Sequence, residues 1–377
     1  MQTKIIKIQD RKKQQADFAA AGEIIKQGGL VAFPTETVYG LGANGLDAEA
    51  CAGIYAAKGR PSDNPLILHV ANRAMIDDVA AEVPEMAENL IAAFCPGPIT
   101  LILRRREIVP LRITGGLDTV GIRMPDHDIA RALIKAAGVP VAAPSANLSG
   151  RPSPTTAEAV AADMDGRIPL ILDGGGCEFG VESTIVDCTG DAAVILRPGA
   201  ITREMLAEVV GEVRLDPALI PVLPAASAGR PCSGEGAAVD PVFAQAGQAA
   251  PKAPGMKYTH YAPKAPLTLL EGEPAYMAAA FRKQIELAQW KGHVVGIIVS
   301  NEVARQLRDV LPAELVCTYG RQGNLREIAA NLYEALRSFD DKPADMLLGE
   351  ATTDQGLGLA IMNRLHKASG FRSIKIS

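Results

Sequence analysis

The sequence predicts an α/β protein of two domains: a larger α+β-like unit with a mixed sheet and helices, then a smaller Rossmann-like open sheet. Three observations lead there. The chain of 377 residues exceeds the size at which one core usually stays undivided. Apolar runs of strand length alternate with helical patterns up to about residue 215. Between Pro217 and Pro266 lie nine of the 26 prolines, the periodicity stops, and alternation resumes afterwards. The expected division is a domain over residues 1–215, a Pro/Ala-rich linker over 216–265, and a C-terminal domain over 266–377.

In the first domain, Phe18, Ala21 and Ile25 fall at helical spacing over residues 17–26, with Asp17 as a candidate N-cap and Gly28 past the end. The next stretch, GLVAFPTETVYGLGANGLDAEACAGIYAAKGR, reads as strand, polar turn, glycines, helix and two cations. Further strands are expected at 65–70, 99–103, 119–124, 139–143, 168–172, 183–187 and 193–196. A helix is expected over 126–137, capped by Asp126 and ended by Gly138. Four strand–helix units follow the linker, with strands near 267, 294, 315 and 346 and helices near 276, 302, 325 and 357.

Bulk properties exclude several classes of function. With 38 Lys+Arg against 43 Asp+Glu the net charge is -5, so no global basic field attracts nucleic acid. The six cysteines are scattered, with neither CxxC nor a zinc-type Cys/His spacing, and read as reduced thiols. The N-terminus has no apolar run of signal-peptide length, and no stretch approaches the ~18 apolar residues of a membrane helix. A cytoplasmic protein that engages no membrane is expected.

Gly40-Leu-Gly42-Ala-Asn-Gly45 matches GxGxxG as a string, but a polar turn separates it from the preceding strand and the helix begins only near Asp47. Those glycines read as turns rather than as a dinucleotide fingerprint. Lys58 and Arg60 follow a helix and precede the rigid turn Pro61-Ser62-Asp63-Asn64-Pro65. They are either helix-end cations or ligands for a phosphate or carboxylate. Ser145 and Asn147, two apart after an apolar run, would face the same space if extended. Glu182-Ser183-Thr184 opens one strand and Arg197-Pro198-Gly199 closes the next, while Thr119 and Arg123 share a strand face. His69 reads as a half-buried histidine or a ligand contact. Past the prolines, PGMKYTHYAP gathers Met256, Lys257, Tyr258, His260 and Tyr261, side chains suited to a loop folded over a site as a lid. There is no GxSxG, HExxH or Walker A string. Donors and cations without a nucleophile–base pair suit a reaction whose substrates supply nucleophile and leaving group.

The ordered series PTETVYGLG, KGRPSDNPLILHV, PGPITLIL, DTVGIRMP, APSANLSG, VESTIVD and LRPG resembles the YrdC-like threonylcarbamoyl-AMP synthase family. It covers most of residues 15–205, and the later part is similar to the linker and second domain of that family's long form. The resemblance implies a YrdC-like twisted mixed sheet and a synthase, a nucleotidyltransferase that joins L-threonine, bicarbonate and ATP into threonylcarbamoyl-adenylate with release of pyrophosphate. The product would go to a separate transferase that modifies an adenosine beside the anticodon of certain tRNAs. By position, Thr35, His69, Thr119, Arg123, Ser145 and Ser183 would hold threonine, and Lys58, Arg60, Ser62, Asn147 and Arg197 the nucleotide. Lys58 and Arg60 would carry the catalytic charge, and His260 and Tyr261 would form the lid. Mg²⁺ is expected with ATP, as part of the substrate complex and without an all-protein cage. Competing readings are a carbamoyl-transferring maturation factor, which would carry CxxC zinc elements in a longer chain, and an RNA-binding module, which the charge disfavours.

Overall fold

The computed structural model describes residues 2–219, 251–254 and 260–376. Met256, Lys257, Tyr258 and most of the proline-rich stretch lie outside the described residues. In chain order the first domain runs β1 (Lys4–Lys7), α1 (Gln15–Lys26), β2 (Val31–Phe33), β3 (Gly40–Asn44), α2 (Ala48–Lys58), β4 (Ile67–His69), α3 (Arg73–Val79), α4 (Glu85–Phe94) and β5 (Ile99–Arg104). It continues with β6 (Thr119–Arg123), α5 (Asp128–Ala137), β7 (Val141–Ala143), α6 (Ala157–Met164), β8 (Leu170–Asp173), β9 (Thr184–Asp187), β10 (Ala193–Arg197), α7 (Arg203–Val210) and β11 (Val213–Leu215).

Among the described residues, all eleven strands join one sheet in the order β1-β8-β2-β3-β7-β4-β6-β5-β9-β10-β11. Pairing is mixed: β4 runs parallel to β6 but antiparallel to β7, and β9 runs parallel to β5 but antiparallel to β10. The apolar periodicity of α5 explains why it packs here, since Ile129, Leu133 and Ile134 bury against Phe18 and Ile25 of α1. Two expected caps are displaced. Gln14 rather than Asp17 precedes α1, with its side chain accepting from the Gln9 and Asp10 amides. His127 rather than Asp126 precedes α5, and Asp126 lies near Arg131 at 3.7 Å.

The reading of Gly40 and Gly42 as turn glycines is corrected. Both lie inside β3, in register with Phe33 and Val31. A Cβ on Gly42 would come 2.7 Å from Val141 Cγ1 and 2.9 Å from the Phe33 ring. One on Gly45 would come 2.7 Å from the Pro140 carbonyl oxygen. Gly40 and Gly42 permit close packing between strands and lack the positive φ of a turn glycine, whereas Gly45 lies in the turn between β3 and α2, as expected. Asp47 does cap α2, accepting from the Glu49 and Ala50 amides, and Gly59 ends it in the left-handed region.

The second domain is built from β12 (Leu267–Glu271), α8 (Pro274–Trp290), β13 (Val295–Val299), α9 (Asn301–Gln306), β14 (Val316–Thr318), α10 (Leu325–Arg337), β15 (Met346–Glu350), α11 (Leu357–Ala368) and β16 (Ser373–Lys375). Its five-stranded sheet has the order β14-β13-β15-β12-β16 and is parallel throughout. Helices cover both faces of such a sheet, so β13 reads Val-Gly-Ile-Ile-Val and is wholly buried. The two domains share a core: Val38 and Val181 of the first cluster with Tyr261, Leu332 and Tyr333. No helix among the described residues is long and apolar enough to cross a membrane. Cys51, Cys95, Cys177, Cys188 and Cys317 are free thiols.

Candidate active site

A cleft of ≈ 620 Å³, part of it open to solvent, lies over the central strands of the large sheet. Register explains its location. Ile67 pairs with Ala143, and His69 with Arg123, so these lining residues project from one face of β4, β6 and β7. The loops after β2, β7 and β10 add Thr35, Ser145, Asn147 and the Arg197 edge, and the turn before β9 adds Ser183.

Of the residues singled out from sequence, Thr35, Arg60, His69, Arg123, Ser145, Asn147, Ser183, Arg197, His260 and Tyr261 line this cleft. Three others do not. Ser62 is exposed on the turn after α2, and Thr119 begins β6 four residues from Arg123, about 13 Å away at the usual rise. Lys58 is buried, and its Nζ donates to the carbonyl oxygens of Ser145 and Asn147 at 2.5 Å each. It therefore acts on the cleft through the Ser145–Asn147 turn. Burial pushes the Lys58 ammonium well below its ordinary pKa, Arg60 adds to the shift and Asp163 opposes it.

The Ser-x-Asn element behaves as its spacing implied. Ser145 Oγ donates to Asn147 Oδ1 at 2.5 Å, and Asn147 Nδ2 donates to the Leu148 and Arg151 carbonyls. The amide thus fixes the turn while its oxygen faces the serine. Thr35 Oγ1 donates to the Val38 carbonyl at 2.6 Å and accepts from the Thr37 and Val38 amides, which holds the polar turn after β2.

Opposite these groups stands a cationic wall. Arg197 Nε donates to the Ser183 carbonyl at 3.1 Å and its NH2 to Ser183 Oγ at 3.2 Å; Thr100 Oγ1 meets the same hydroxyl at 2.7 Å. Arg123 NH2 lies 2.7 Å from Glu36 Oε2, both side chains buried. This is ion-pair distance without hydrogen-bond alignment, and among the described residues Arg123 Nε and both Glu36 oxygens have no hydrogen-bond partner. His260 Nε2 is likewise buried without one. Buried polar atoms left unsatisfied around a cleft are what a bound ligand would complete. His69 and His260 are neutral here: burial pushes each down to about 3, with Arg123 adding for the first and Arg60 for the second. Two neutral rings among cations favour an anionic ligand over a cationic one.

Sequence reasoning missed Arg151 and Ser153 in the lining, and the part played by Glu182. Arg151 and Ser153 follow directly on the Ser-x-Asn turn, which was the available signal. Glu182 is held by Ser153 Oγ at 2.6 Å, Tyr333 OH at 2.8 Å and Arg364 Nε at 3.1 Å. Burial alone would raise its pKa; Arg364 and Arg197 outweigh this and hold the carboxyl at about 2. Arg364 sits among Ile361, Met362 and Leu365, a cation in an apolar helical pattern. Tyr261, at a φ of 68°, stacks on Tyr333 with centroids 5.3 Å apart.

Similarity to known proteins extends over both domains. A family model described as telomere recombination matches residues 23–199, and one described as threonylcarbamoyl-AMP synthase, C-terminal domain, matches residues 201–370. The chain is 46% identical to a Bacillus subtilis threonylcarbamoyl-AMP synthase over 359 residues, 95% of this chain and 94% of the relative. It is 45% identical to the Pyrococcus abyssi threonylcarbamoyl-AMP synthase over 374 residues, 99% of this chain and 100% of the relative. The crystal structure of Pyrococcus abyssi Sua5 complexed with L-threonine superposes with a TM-score of 0.86 at 44% identity, covering 100% of both chains. The chain belongs to the threonylcarbamoyl-AMP synthase family, in its two-domain form.

Proposed function

We propose that the protein is an L-threonylcarbamoyladenylate synthase that converts L-threonine, bicarbonate and ATP into threonylcarbamoyl-AMP, pyrophosphate and water, for threonylcarbamoyladenosine modification of tRNA. The observation that supports this most is the cleft itself. It brings hydroxyls and four arginines together without a nucleophile–base pair, in a chain similar along its whole length to a protein crystallised with L-threonine. Such a site positions substrates and neutralises charge.

Bicarbonate takes up a proton and loses water to give carbon dioxide, which the uncharged threonine amine attacks, releasing a proton, to form an N-carboxylate. A carboxylate oxygen then attacks the α-phosphorus of ATP as the bond to pyrophosphate breaks in line. Thr35, His69, Arg123, Ser145 and Ser183 hold the amino acid in this reading, with Arg123 as the cation for its carboxylate. Arg60, Asn147 and Arg197 face the nucleotide, and Lys58 sets the Ser145–Asn147 turn between the two substrates. His260 and Tyr261 cover the cleft and exclude water from a labile mixed anhydride. Magnesium arrives with ATP, whose phosphate oxygens supply most of its ligands. The product's consumer is a tRNA threonylcarbamoyl transferase.

Omitting one substrate at a time tests this. Pyrophosphate release is expected to require L-threonine, bicarbonate and ATP together, and to fall to background with other amino acids. Release that ignores threonine would reject the reading.

A further inference from the structure

The second domain reaches the cleft without lining it, through two side chains that meet both the cleft's wall and its cover. Tyr333 on α10 donates to Glu182 Oε2 at 2.8 Å. Arg364 on α11 is fully buried, and it donates through Nε to the same oxygen at 3.1 Å and through NH1 to the Pro198 carbonyl at 2.5 Å. One guanidinium therefore ties together the residue before Ser183 and the residue after Arg197. Those two are themselves joined by the hydrogen bonds from Arg197 to the Ser183 carbonyl and hydroxyl.

The same pair supports the cover. Tyr261 stacks on Tyr333 at an interplanar angle of 26°, and the Arg364 guanidinium carbon stands 6.0 Å from the centre of the Tyr261 ring. Tyr261 holds a positive φ of 68°, rarely adopted by a bulky residue, so its conformation depends on surrounding contacts. Those contacts include these two residues and the Ala262 amide, which donates to the Gly150 carbonyl at 2.9 Å.

We propose that Tyr333 and Arg364 are positioning residues for the adenylate-forming reaction: through Glu182 they fix the Ser183–Arg197 wall, and through Tyr261 they fix the cover that keeps water out. The proposal rests on the synthase reading above. It makes the second domain part of the site's geometry, where an interface serving only cohesion would leave substrate affinity and product fate unchanged.

The test uses full-length Tyr333→Phe and Tyr333→Leu, with thermal unfolding to establish folding. The phenylalanine keeps the ring stack and loses the hydrogen bond to Glu182; the leucine loses both. With leucine, the KM for threonine is expected to rise about tenfold, in line with one lost charge-assisted hydrogen bond. The ratio of AMP to pyrophosphate is expected to rise several-fold, as water reaches the adenylate. With phenylalanine, which loses the same hydrogen bond, a similar rise in KM is expected and the wild-type product ratio is kept. Folded variants with wild-type KM and wild-type product ratio would overturn the proposal, as would a lowered unfolding temperature with neither quantity moved. If the leucine variant does not fold, the phenylalanine variant decides by its KM. Failure of the synthase reading would show separately, as wild-type pyrophosphate release indifferent to threonine.

Discussion

Replacing Lys58 by methionine is expected to lower threonine-dependent pyrophosphate release about 100-fold or more while the protein stays folded. The methionine keeps most of the buried stem and removes the charge. What it takes away are the Nζ hydrogen bonds to the Ser145 and Asn147 carbonyls, which hold the turn carrying two cleft residues. Two opposed effects act on stability. Leaving those carbonyls unsatisfied costs about 1–3 kcal/mol each, whereas removing an ammonium that burial already disfavours gives some of that back. The net change is therefore modest against a catalytic loss of orders of magnitude. Steady-state pyrophosphate release and urea unfolding on the same preparation check both halves. Unchanged release from a folded Lys58→Met protein would remove the lysine from the mechanism.

Arg364→Met is expected to destabilise the protein at pH 7 by about 3–5 kcal/mol, the usual result of leaving one member of a buried ion pair behind. Glu182 is the member left behind, and its pH behaviour gives the prediction a sign. In the wild type its carboxyl is held at about 2, below the ordinary 4.5, so it contributes stability that is present above pH 4.5 and is lost as pH falls toward 2. Without Arg364 the burial penalty is opposed only by Arg197 and the Ser153 and Tyr333 hydrogen bonds, so the carboxyl titrates at a higher pH. The stability gap between wild type and variant should therefore narrow as pH falls from neutrality. Urea midpoints at pH 7 and pH 4 check this; a gap that is constant, or wider at pH 4, would contradict the role given to the Arg364–Glu182 pair.

The sequence carried much of the cleft because its residues sit in short, ordered strings beside strand ends. Thr35, Ser145, Asn147, Ser183 and Arg197 each lie within a few residues of an apolar run, so their placement follows from the chain's local geometry. Where reading failed, the missing quantity was distance or packing. Thr119 and Arg123 share a strand face as their spacing requires, yet a strand rises too fast for both to reach one pocket. Lys58 stands where a phosphate ligand would, but its direction is set by carbonyls almost 90 residues away in sequence. Gly40 and Gly42 looked like turn glycines because no local pattern separates a residue needing positive φ from one pressed against Phe33 and Val141. The contacts of Tyr333 and Arg364 with Glu182 span more than 150 residues and two domains, so no periodicity could announce them.

The synthase reading stands or falls on the identity of the nucleotide product. The full-length protein incubated with ATP, L-threonine and ¹³C-labelled bicarbonate should yield threonylcarbamoyl-AMP one mass unit heavier than with unlabelled bicarbonate, with pyrophosphate released in step with adenylate formed. Threonyl-adenylate without the added carbon, or a product mass that does not respond to the label, would contradict it.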